Sequence, residues 1–172
     1  KPDSPDGRLY QLDPSLQIKR MDNGLAVANG IGFSPDGTVM YLSEQFGGRI
    51  LCYDYDSQSG VLSGKRVFAQ IPKTEGLPDG IIVDSEGYVW NAHWGGGRIT
   101  RYTPDGTVDS RVEMPVPLVT CMAFGGDGLD ELYVTTGWYH MTPAEQEKTP
   151  GCGDLFRIRT GFTGLVEPRF RG

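Results

Sequence analysis

The sequence lacks the features that mark several large functional classes. No apolar run approaches the roughly 18 residues that a membrane-spanning helix needs, and the Gly-x-Ser-x-Gly motif of a serine hydrolase is absent. Basic residues are in the minority, since 16 Lys and Arg face 22 Asp and Glu for a formal net charge of −6. This balance argues against nucleic acid and anionic membranes as partners, and it suits a cation site or a neutral small molecule.

Cysteine is sparse and has no metal-binding spacing. Cys52, Cys121 and Cys152 form an odd number and no Cys-x-x-Cys pair. We therefore expect reduced, mostly buried thiols and no disulfide framework. The segment GVLSGKR, residues 60–66, lacks the Ser or Thr that follows Lys in a phosphate-binding loop, and it is predicted to be a hairpin loop.

Internal repeats are what the sequence does contain. Three segments align with one another, and each has a short apolar strand, a glycine-ended turn and a second strand; they span residues 29–44, 79–93 and 120–137. A second set of segments recurs at a similar spacing, and each has apolar or aromatic residues at every second position, as in a half-exposed strand; they span residues 7–14, 48–56, 97–106 and 153–161. The units are spaced 41 to 56 residues apart, close to the ~40–50-residue period of a propeller blade.

The repeats predict an all-β fold, namely a β-propeller of four-stranded blades that forms a single domain over residues 1–172. Each blade should contain an inner hairpin, an alternating outer strand and a variable polar link. At ~45 residues per blade, the chain holds roughly three and a half blades, fewer than the usual ~4–8. It also opens on an outer-strand motif, so we expect a piece of a larger propeller.

Residues 141–153 depart from the strand pattern. Thr142 is a suitable N-cap, Pro143 suits the first helical position, and Glu145 stands three residues after the cap, as in a capping box. The segment is predicted to form one helical turn within a loop between strands, with a plain loop as the alternative.

Asn29, Asp79 and Thr120 occupy one equivalent position in the aligned repeats, at the start of the innermost strand. Innermost strands line the axial channel of a propeller, so these oxygen-bearing side chains should ring one end of it. Amide and carboxylate oxygens suit Ca²⁺, Mg²⁺ or Mn²⁺ and are tolerated by Zn²⁺. The alternative is that Asn-Gly and Asp-Gly only begin strands through a favourable turn. A separate turn downstream in each repeat favours the shared site.

Asp84 follows Asp79 by five residues but belongs to the turn sequence DSEG, residues 84–87. We expect its side chain in a surface hairpin turn, where it accepts local backbone hydrogen bonds. On that interpretation, Asp84→Asn should change stability by less than ~0.5 kcal/mol.

Longer blocks carry a family resemblance: ANGIGFSPDGTVMYLSE, LPDGIIVDSEGYVWNAHWGGGRITRYTPDG, MPVPLVTCMAFGGDGLDELYVTT and the closing GCGDLFRIRTGFTGLVEPRF. They resemble the senescence-marker-protein/gluconolactonase (regucalcin-like) family. The resemblance implies a six-bladed propeller with one axial divalent cation that hydrolyses sugar lactones or similar cyclic esters. The metal-binding Asn of the family falls on Asn29, and its metal-binding, catalytic Asp falls on Asp79. These are the residues that the repeat alignment selects.

The resemblance covers the C-terminal portion of a family member. It implies that a third ligand, a Glu, and the substrate-contacting Arg and Asn precede residue 1, so the 172-residue piece alone is expected to be inactive. Glu44 stands where many members have Asp, and it either faces substrate or lies solvated at the rim. His93, at the corresponding strand end of the next repeat, is either a substrate contact or part of a packed wall. Thr120 is a candidate for contact with substrate or with the water shell of the cation.

The implied chemistry is metal-assisted opening of a lactone, the expected small-molecule partner. A divalent cation polarises the carbonyl and lowers the pKa of bound water, while Asp79 acts as general base. Two alternatives stay open from the sequence: a non-catalytic Ca²⁺- or small-ligand-binding propeller, and a strictosidine-synthase-like or esterase propeller with another substrate. The expected location is the cytoplasm.

Overall fold

The computed structural model describes residues 5–167. The strands of this part of the chain are β1 (Gly7–Leu12), β2 (Ile18–Leu25), β3 (Ala28–Phe33), β4 (Val39–Glu44), β5 (Arg49–Asp56), β6 (Val61–Gln70), β7 (Leu77–Val83), β8 (Val89–Trp94), β9 (Arg98–Tyr102), β10 (Val108–Glu113), β11 (Val119–Gly125), β12 (Glu131–Thr136) and β13 (Leu155–Arg159). A 3-10 helix spans Lys73–Glu75, and α1 spans Pro143–Lys148. Within residues 5–167, no helix is long and apolar enough to cross a membrane.

The strands form successive antiparallel sheets in chain order. Strands β3 to β6 make one four-stranded sheet and β7 to β10 make another, whereas β1 and β2 pair alone and β11 to β13 form a three-stranded sheet. This architecture confirms the prediction of an all-β fold with four-stranded blades. The fourth strand of each complete blade, β6 or β10, occupies the region that the sequence pattern marked only as a variable polar link.

The segment 60–66 is therefore not a hairpin loop, and that prediction was wrong. It lies mostly in β6, which pairs with β5 from Asp56↔Val61 to Arg49↔Gln70. Only Gly60 belongs to the preceding turn, with a φ of 68°. The segment forms a strand because its backbone pairs with β5. Two register shifts in this pairing accommodate the residues that do not follow a regular strand pattern.

Apolar clusters fill the spaces between successive sheets. Between the two four-stranded sheets, the ring of Tyr41 and the side chain of Ile50 pack with Ile81 and Val83. A second cluster, which includes Trp90 and Leu132, joins the later four-stranded sheet to the three-stranded one. The alternating pattern of the strands supplies these faces, because every second side chain points into the same layer.

The short helix α1 begins with the predicted capping box. The Thr142 hydroxyl accepts a hydrogen bond from the Glu145 backbone nitrogen, and the Glu145 carboxylate accepts one from the Thr142 backbone nitrogen at 2.7 Å. The helix prediction is thereby confirmed over the alternative of a plain loop.

The three cysteines are free thiols. The expectation that they are mostly buried was wrong, because only Cys52 is buried, whereas Cys121 is exposed and Cys152 is partly exposed. Cys121 lies on innermost strand β11 of the three-stranded sheet, whose side chains are covered less completely than those of the four-stranded sheets.

Candidate functional site

The innermost strands β3, β7 and β11 approach one another closely at the ends that carry the predicted site. A Cβ atom added at Gly30 would lie 2.7 Å from the carbonyl carbon of Gly80, and one added at Gly80 would lie 2.7 Å from the Cα of Cys121. Only glycine leaves room for backbone this close. The two glycines thus bring the neighbouring residues Asn29, Asp79 and Thr120 to adjacent positions on three successive blades.

A β-bulge interrupts each innermost strand at this level. In β3 the extra residue falls between Ala28 and Ile31, and in β7 it falls between Pro78 and Ile81. Strand β11 has the same irregularity between Val119 and Cys121. Bulges re-aim side chains and are frequent beside active sites. The repeated bulges therefore turn the residues inside them, which include the predicted site residues, away from the regular alternation of the strand.

Asp79 is a buried carboxylate without a cationic partner. Its exposed fraction is 9%, and none of its atoms makes an ion pair with any residue in the range 5–167. Burial raises the pKa of Asp79 to about 6, while a hydrogen bond with the Asn29 side chain acts in the opposite direction. Because an ionised carboxylate in an apolar setting is unfavourable, this site would be stabilised by a bound cation.

Asn29 is half-buried and directs its amide nitrogen toward two acceptors. The nitrogen lies 3.4 Å from the Gln45 side-chain oxygen, and the Asn29 side chain also hydrogen-bonds Asp79. An ionised carboxylate only accepts, so the amide nitrogen is the donor to Asp79. This orientation leaves the amide oxygen of Asn29 available to a ligand.

Asn29 and Asp79 together fit part of a divalent cation site. They offer a neutral amide oxygen and a carboxylate that lacks a counter-charge, which are ligands of the type that Ca²⁺ and Mg²⁺ prefer. Across residues 5–167, no group of three or more His, Cys, Asp or Glu side chains is arranged to hold a metal ion. The remaining coordination positions would therefore have to be filled by water or by atoms outside the described residues.

Thr120 lies half-buried beside this pair, and its hydroxyl is already engaged. The Thr120 and Thr135 hydroxyl oxygens are 2.7 Å apart, and Thr135 also donates to the Cys121 carbonyl. The predicted contact of Thr120 with substrate stays a prediction.

A cavity of about 410 Å³ lies near Thr120, with walls that include Trp94, Tyr139, His140 and Lys148. A Cβ atom placed at Gly137 would meet the Trp94 ring at 3.0 Å and Thr120 Cγ2 at 3.6 Å. The cavity has the size of a small-molecule site and combines aromatic with polar walls.

Glu44 is buried and satisfied within its own blade. Its carboxylate accepts a hydrogen bond from the Ala26 backbone nitrogen at 2.8 Å and pairs with the Arg49 guanidinium at 2.7 Å. The alternative of a solvated rim carboxylate was wrong, because only 2% of Glu44 is exposed. A substrate contact by Glu44 stays a prediction, and the observed contacts give it a structural role.

His93 is fully buried beneath the loop that follows β8. Its Nδ1 lies 2.9 Å from the Glu75 carbonyl oxygen, and its Nε2 lies 3.5 Å from the Tyr102 hydroxyl. Burial lowers the pKa of His93, with the Glu75 carbonyl opposing this effect. The geometry matches the packed-wall alternative, while the substrate contact stays a prediction.

Asp84 is not in a surface position, which corrects the expectation from its turn sequence. Its exposed fraction is 0%. One carboxylate oxygen accepts the backbone hydrogens of Glu86 and Tyr88, both at 3.0 Å, as predicted for a turn residue. The other oxygen accepts from the Trp90 indole at 2.9 Å and pairs with Arg101 at 2.8 Å.

Arg101 is the buried cation that pairs with Asp84. Only 3% of its side chain is exposed, and it also pairs with Glu86 at 2.7 Å and with Asp109 at 3.0 Å. Its guanidinium carbon lies 3.6 Å from the centroid of the Tyr88 ring and 3.8 Å from that of Phe162. Through Phe162, these contacts connect the segment that follows β13 to the blade formed by β7 to β10. Asp84 therefore belongs to a structural network.

Asn91 is the residue of the site region that sequence analysis missed. It is fully buried on β8, and its amide nitrogen donates to the Gly80 carbonyl at 2.9 Å. The available signal was a polar residue at a position where the neighbouring repeats have Leu42 and Val134.

Comparisons with known proteins agree with this architecture. The family model described as "SMP-30/Gluconolactonase/LRE-like region" matches residues 1–137. The chain belongs to this family. It is 39% identical to pentonolactonase XacC of Haloferax volcanii over 98% of this chain and 59% of the relative. It is 38% identical to the L-arabinolactonase of Azospirillum brasilense over 96% of this chain and 55% of the relative.

A solved structure of a calcium-binding protein, regucalcin from Agrobacterium tumefaciens, superposes on this chain with a TM-score of 0.91 at 31% identity. The match covers 98% of this chain and 57% of that structure. The chain therefore spans between half and three-fifths of the length of these relatives, and the propeller fold of the family is confirmed.

Proposed function

We propose that this chain forms part of a hydrolase that opens the lactones of sugar acids, with a divalent cation held by Asn29 and Asp79. The observation that carries the proposal is the buried Asp79 carboxylate, which has no cationic partner among the described residues and a pKa raised to about 6 beside Asn29. The names of two relatives, a pentonolactonase and an L-arabinolactonase, support lactones of five-carbon sugar acids as the first substrates to test.

In this proposal Asp79 is the general base. Asp79, with a pKa of about 6 in the cation-free chain, is ionised at neutral pH, and an ionised carboxylate can accept a proton in the reaction. It takes a proton from a water molecule as the water oxygen bonds to the lactone carbonyl carbon. When the ring C–O bond breaks, the proton passes to the leaving oxygen, and the product is an open-chain hydroxy acid.

The neighbouring residues orient this base and its substrate. The Asn29 amide fixes one oxygen of Asp79 by hydrogen bonding, and the cavity lined by Trp94 and Tyr139 offers a place for the sugar part of the molecule. A bound divalent cation would supply Lewis-acid polarisation of the lactone carbonyl. Asp79 and Glu44 are the two candidate carboxylates, and both are buried. Glu44 pairs with Arg49, whereas Asp79 has no cationic partner in the described chain.

The test uses a family-length protein, meaning a polypeptide as long as the curated relatives that contains this chain. Asp79→Asn keeps the shape of the side chain but removes the base, so lactone hydrolysis should fall by at least ~10²-fold. Asp36→Asn is the matched control, because Asp36 accepts only local hydrogen bonds from Ser34 and Thr38 in an exposed turn. Full activity in Asp79→Asn would exclude the proposed role.

A second candidate is a calcium-binding propeller without turnover, which the likeness to the calcium-binding regucalcin of Agrobacterium tumefaciens favours. A wild-type family-length protein that binds Ca²⁺ but opens none of a panel of sugar lactones would select it. Hydrolysis of simple esters in place of lactones would select the esterase alternative. The cytoplasmic location stays a prediction.

A further inference from the structure

The bulge that carries Asp79 is supported from behind by the side chain of Asn91. The Asn91 amide nitrogen lies 2.9 Å from the Gly80 carbonyl oxygen and 3.1 Å from the Ser43 hydroxyl of the preceding blade. The Asp79 carbonyl oxygen is at the outer limit for a hydrogen bond, 3.5 Å away. Because a bulge removes regular ladder bonds, these contacts replace pairing that the backbone cannot make.

This arrangement is unfavourable for the stability of the core. Asn91 is fully buried, and its amide oxygen has no hydrogen-bond partner among the described residues. Rotating the amide would place that oxygen against the Gly80 carbonyl, so the observed orientation is the one that the acceptors require. A buried oxygen without a partner destabilises the folded state. The residue at this position is therefore not the one that packing alone would favour.

The two neighbouring sheets have apolar residues at the position equivalent to Asn91. Two residues after the bulge residue, Ile31 faces Leu42 in one blade and Ile81 faces Asn91 in the next. In the three-stranded sheet, the corresponding residue on β12 is Val134. Leu42 and Val134 are both fully buried. All three blades have the bulge, but an amide supports it only in the blade that carries the Asp79 carboxylate.

We propose that Asn91 is a positioning residue that holds the Asp79–Gly80 bulge and thereby fixes the direction of the Asp79 side chain. The inference rests on the proposed function of Asp79. Asn91 acts through the backbone of β7 and through Ser43, and it touches neither the substrate nor the cation.

The experiment compares Asn91→Val with Asn91→Thr in the family-length protein. Valine copies Val134 of the next blade, and threonine has nearly the same shape but keeps one hydrogen-bond donor. In Asn91→Val, the affinity for Ca²⁺, Mg²⁺, Mn²⁺ or Zn²⁺, whichever the wild type binds, should fall by about 10–100-fold, as for other residues that orient a metal ligand. Asn91→Thr should recover part of this loss.

Thermal melting of the cation-free proteins separates positioning from a purely structural role. Asn91→Val removes the unpaired oxygen but also the donor to the Gly80 carbonyl, and these effects on stability oppose each other. The melting temperature should therefore change little, while kcat for lactone hydrolysis falls more than KM changes. The control is Leu42→Val, which alters packing at the equivalent position and should lower melting without changing cation affinity.

Two results would overturn the inference. One is wild-type cation affinity and kcat in Asn91→Val, and the other is a melting temperature that falls together with activity in both Asn91→Val and Asn91→Leu. If the valine variant unfolds, Asn91→Leu, which copies Leu42, decides the question by the same measurements. Loss of function in Asp79→Asn with full function in Asn91→Val would refute this inference while leaving the proposed function intact.

Discussion

Asp79 and Asp84 lie five residues apart in one blade, and both are buried, yet their surroundings are opposite. Asp84 is enclosed by donors, including the Arg101 guanidinium at 2.8 Å and the Trp90 indole at 2.9 Å. Asp79 has the Asn29 amide beside it and no cationic partner in the described chain, and burial raises its pKa to about 6.

The difference separates a structural carboxylate from the one that we propose to be functional. A buried charge that is paired and hydrogen-bonded stabilises the arrangement around it, and removing it leaves its partner uncompensated. A buried carboxylate without a partner destabilises the folded state until a cation or a proton arrives, which is the condition of many functional sites. Burial alone would not have distinguished the two residues, whereas their partners do.

The largest expected effect is on the paired residue. Asp84→Asn removes the fully buried partner of Arg101 and leaves only the more exposed Glu86 and Asp109 carboxylates to balance its charge. The free energy of unfolding should therefore fall by about 3 kcal/mol, the lower end of the range for breaking a buried ion pair. This replaces the much smaller change expected from the turn sequence alone. Urea denaturation of the family-length protein, followed by tryptophan fluorescence, measures the change.

The exposed turn residue Asp36 supplies the control for this comparison. Asp36→Asn should change the free energy of unfolding by less than ~0.5 kcal/mol, as expected for a surface substitution. A loss of about 1 kcal/mol or less in Asp84→Asn, the size of a surface ion pair, would contradict the account of the Arg101 network.

The unpaired residue should make the stability of the cation-free protein depend on pH. The pKa of Asp79 is raised from 3.8 to about 6 in the folded chain. Below about pH 4 both states are protonated and its contribution is fully present. Between about pH 4 and 6 the unfolded state releases its proton first, so stability is lost as pH rises, by about 3 kcal/mol in total.

Subtracting the Asp79→Asn variant isolates this contribution from that of other groups. With a chelator present, the free energy of unfolding of the variant relative to wild type should increase by about 2–3 kcal/mol between pH 4 and pH 7. A relative stability that does not vary with pH would mean that Asp79 is not desolvated.

The repeats made the fold and the adjacency of Asn29 and Asp79 predictable. Asn29 and Asp79 fall at equivalent places in segments that share glycine-ended turns, and this alignment needs no knowledge of distant contacts. The capping box of α1 was equally local, because Thr142 and Glu145 are three residues apart. The bonding roles of Asn29 and Asp79 toward a cation stay a prediction.

Features that depend on pairing between strands were not predictable. The burial of Asp84 follows from Arg101, which reaches it from β9 across the sheet. The bulges appear only when the register of each hairpin is known, and the role of Asn91 depends on the bulge at Gly80 and on Ser43 in another blade. A turn signal and a polar residue in a strand gave no means to anticipate these contacts.

The most direct test of the account is cation-induced thermal stabilisation of wild type and Asp79→Asn at pH 7.5. At about 100 times its Kd, a cation that binds only the folded state adds about 2.7 kcal/mol. We expect at least one of Ca²⁺, Mg²⁺, Mn²⁺ and Zn²⁺ to raise the melting temperature of the wild-type family-length protein. Asp79→Asn should melt higher than wild type without cation and shift much less with it. An unchanged shift in Asp79→Asn, or no stabilisation of wild type by any of the four cations, would contradict the assignment of Asp79.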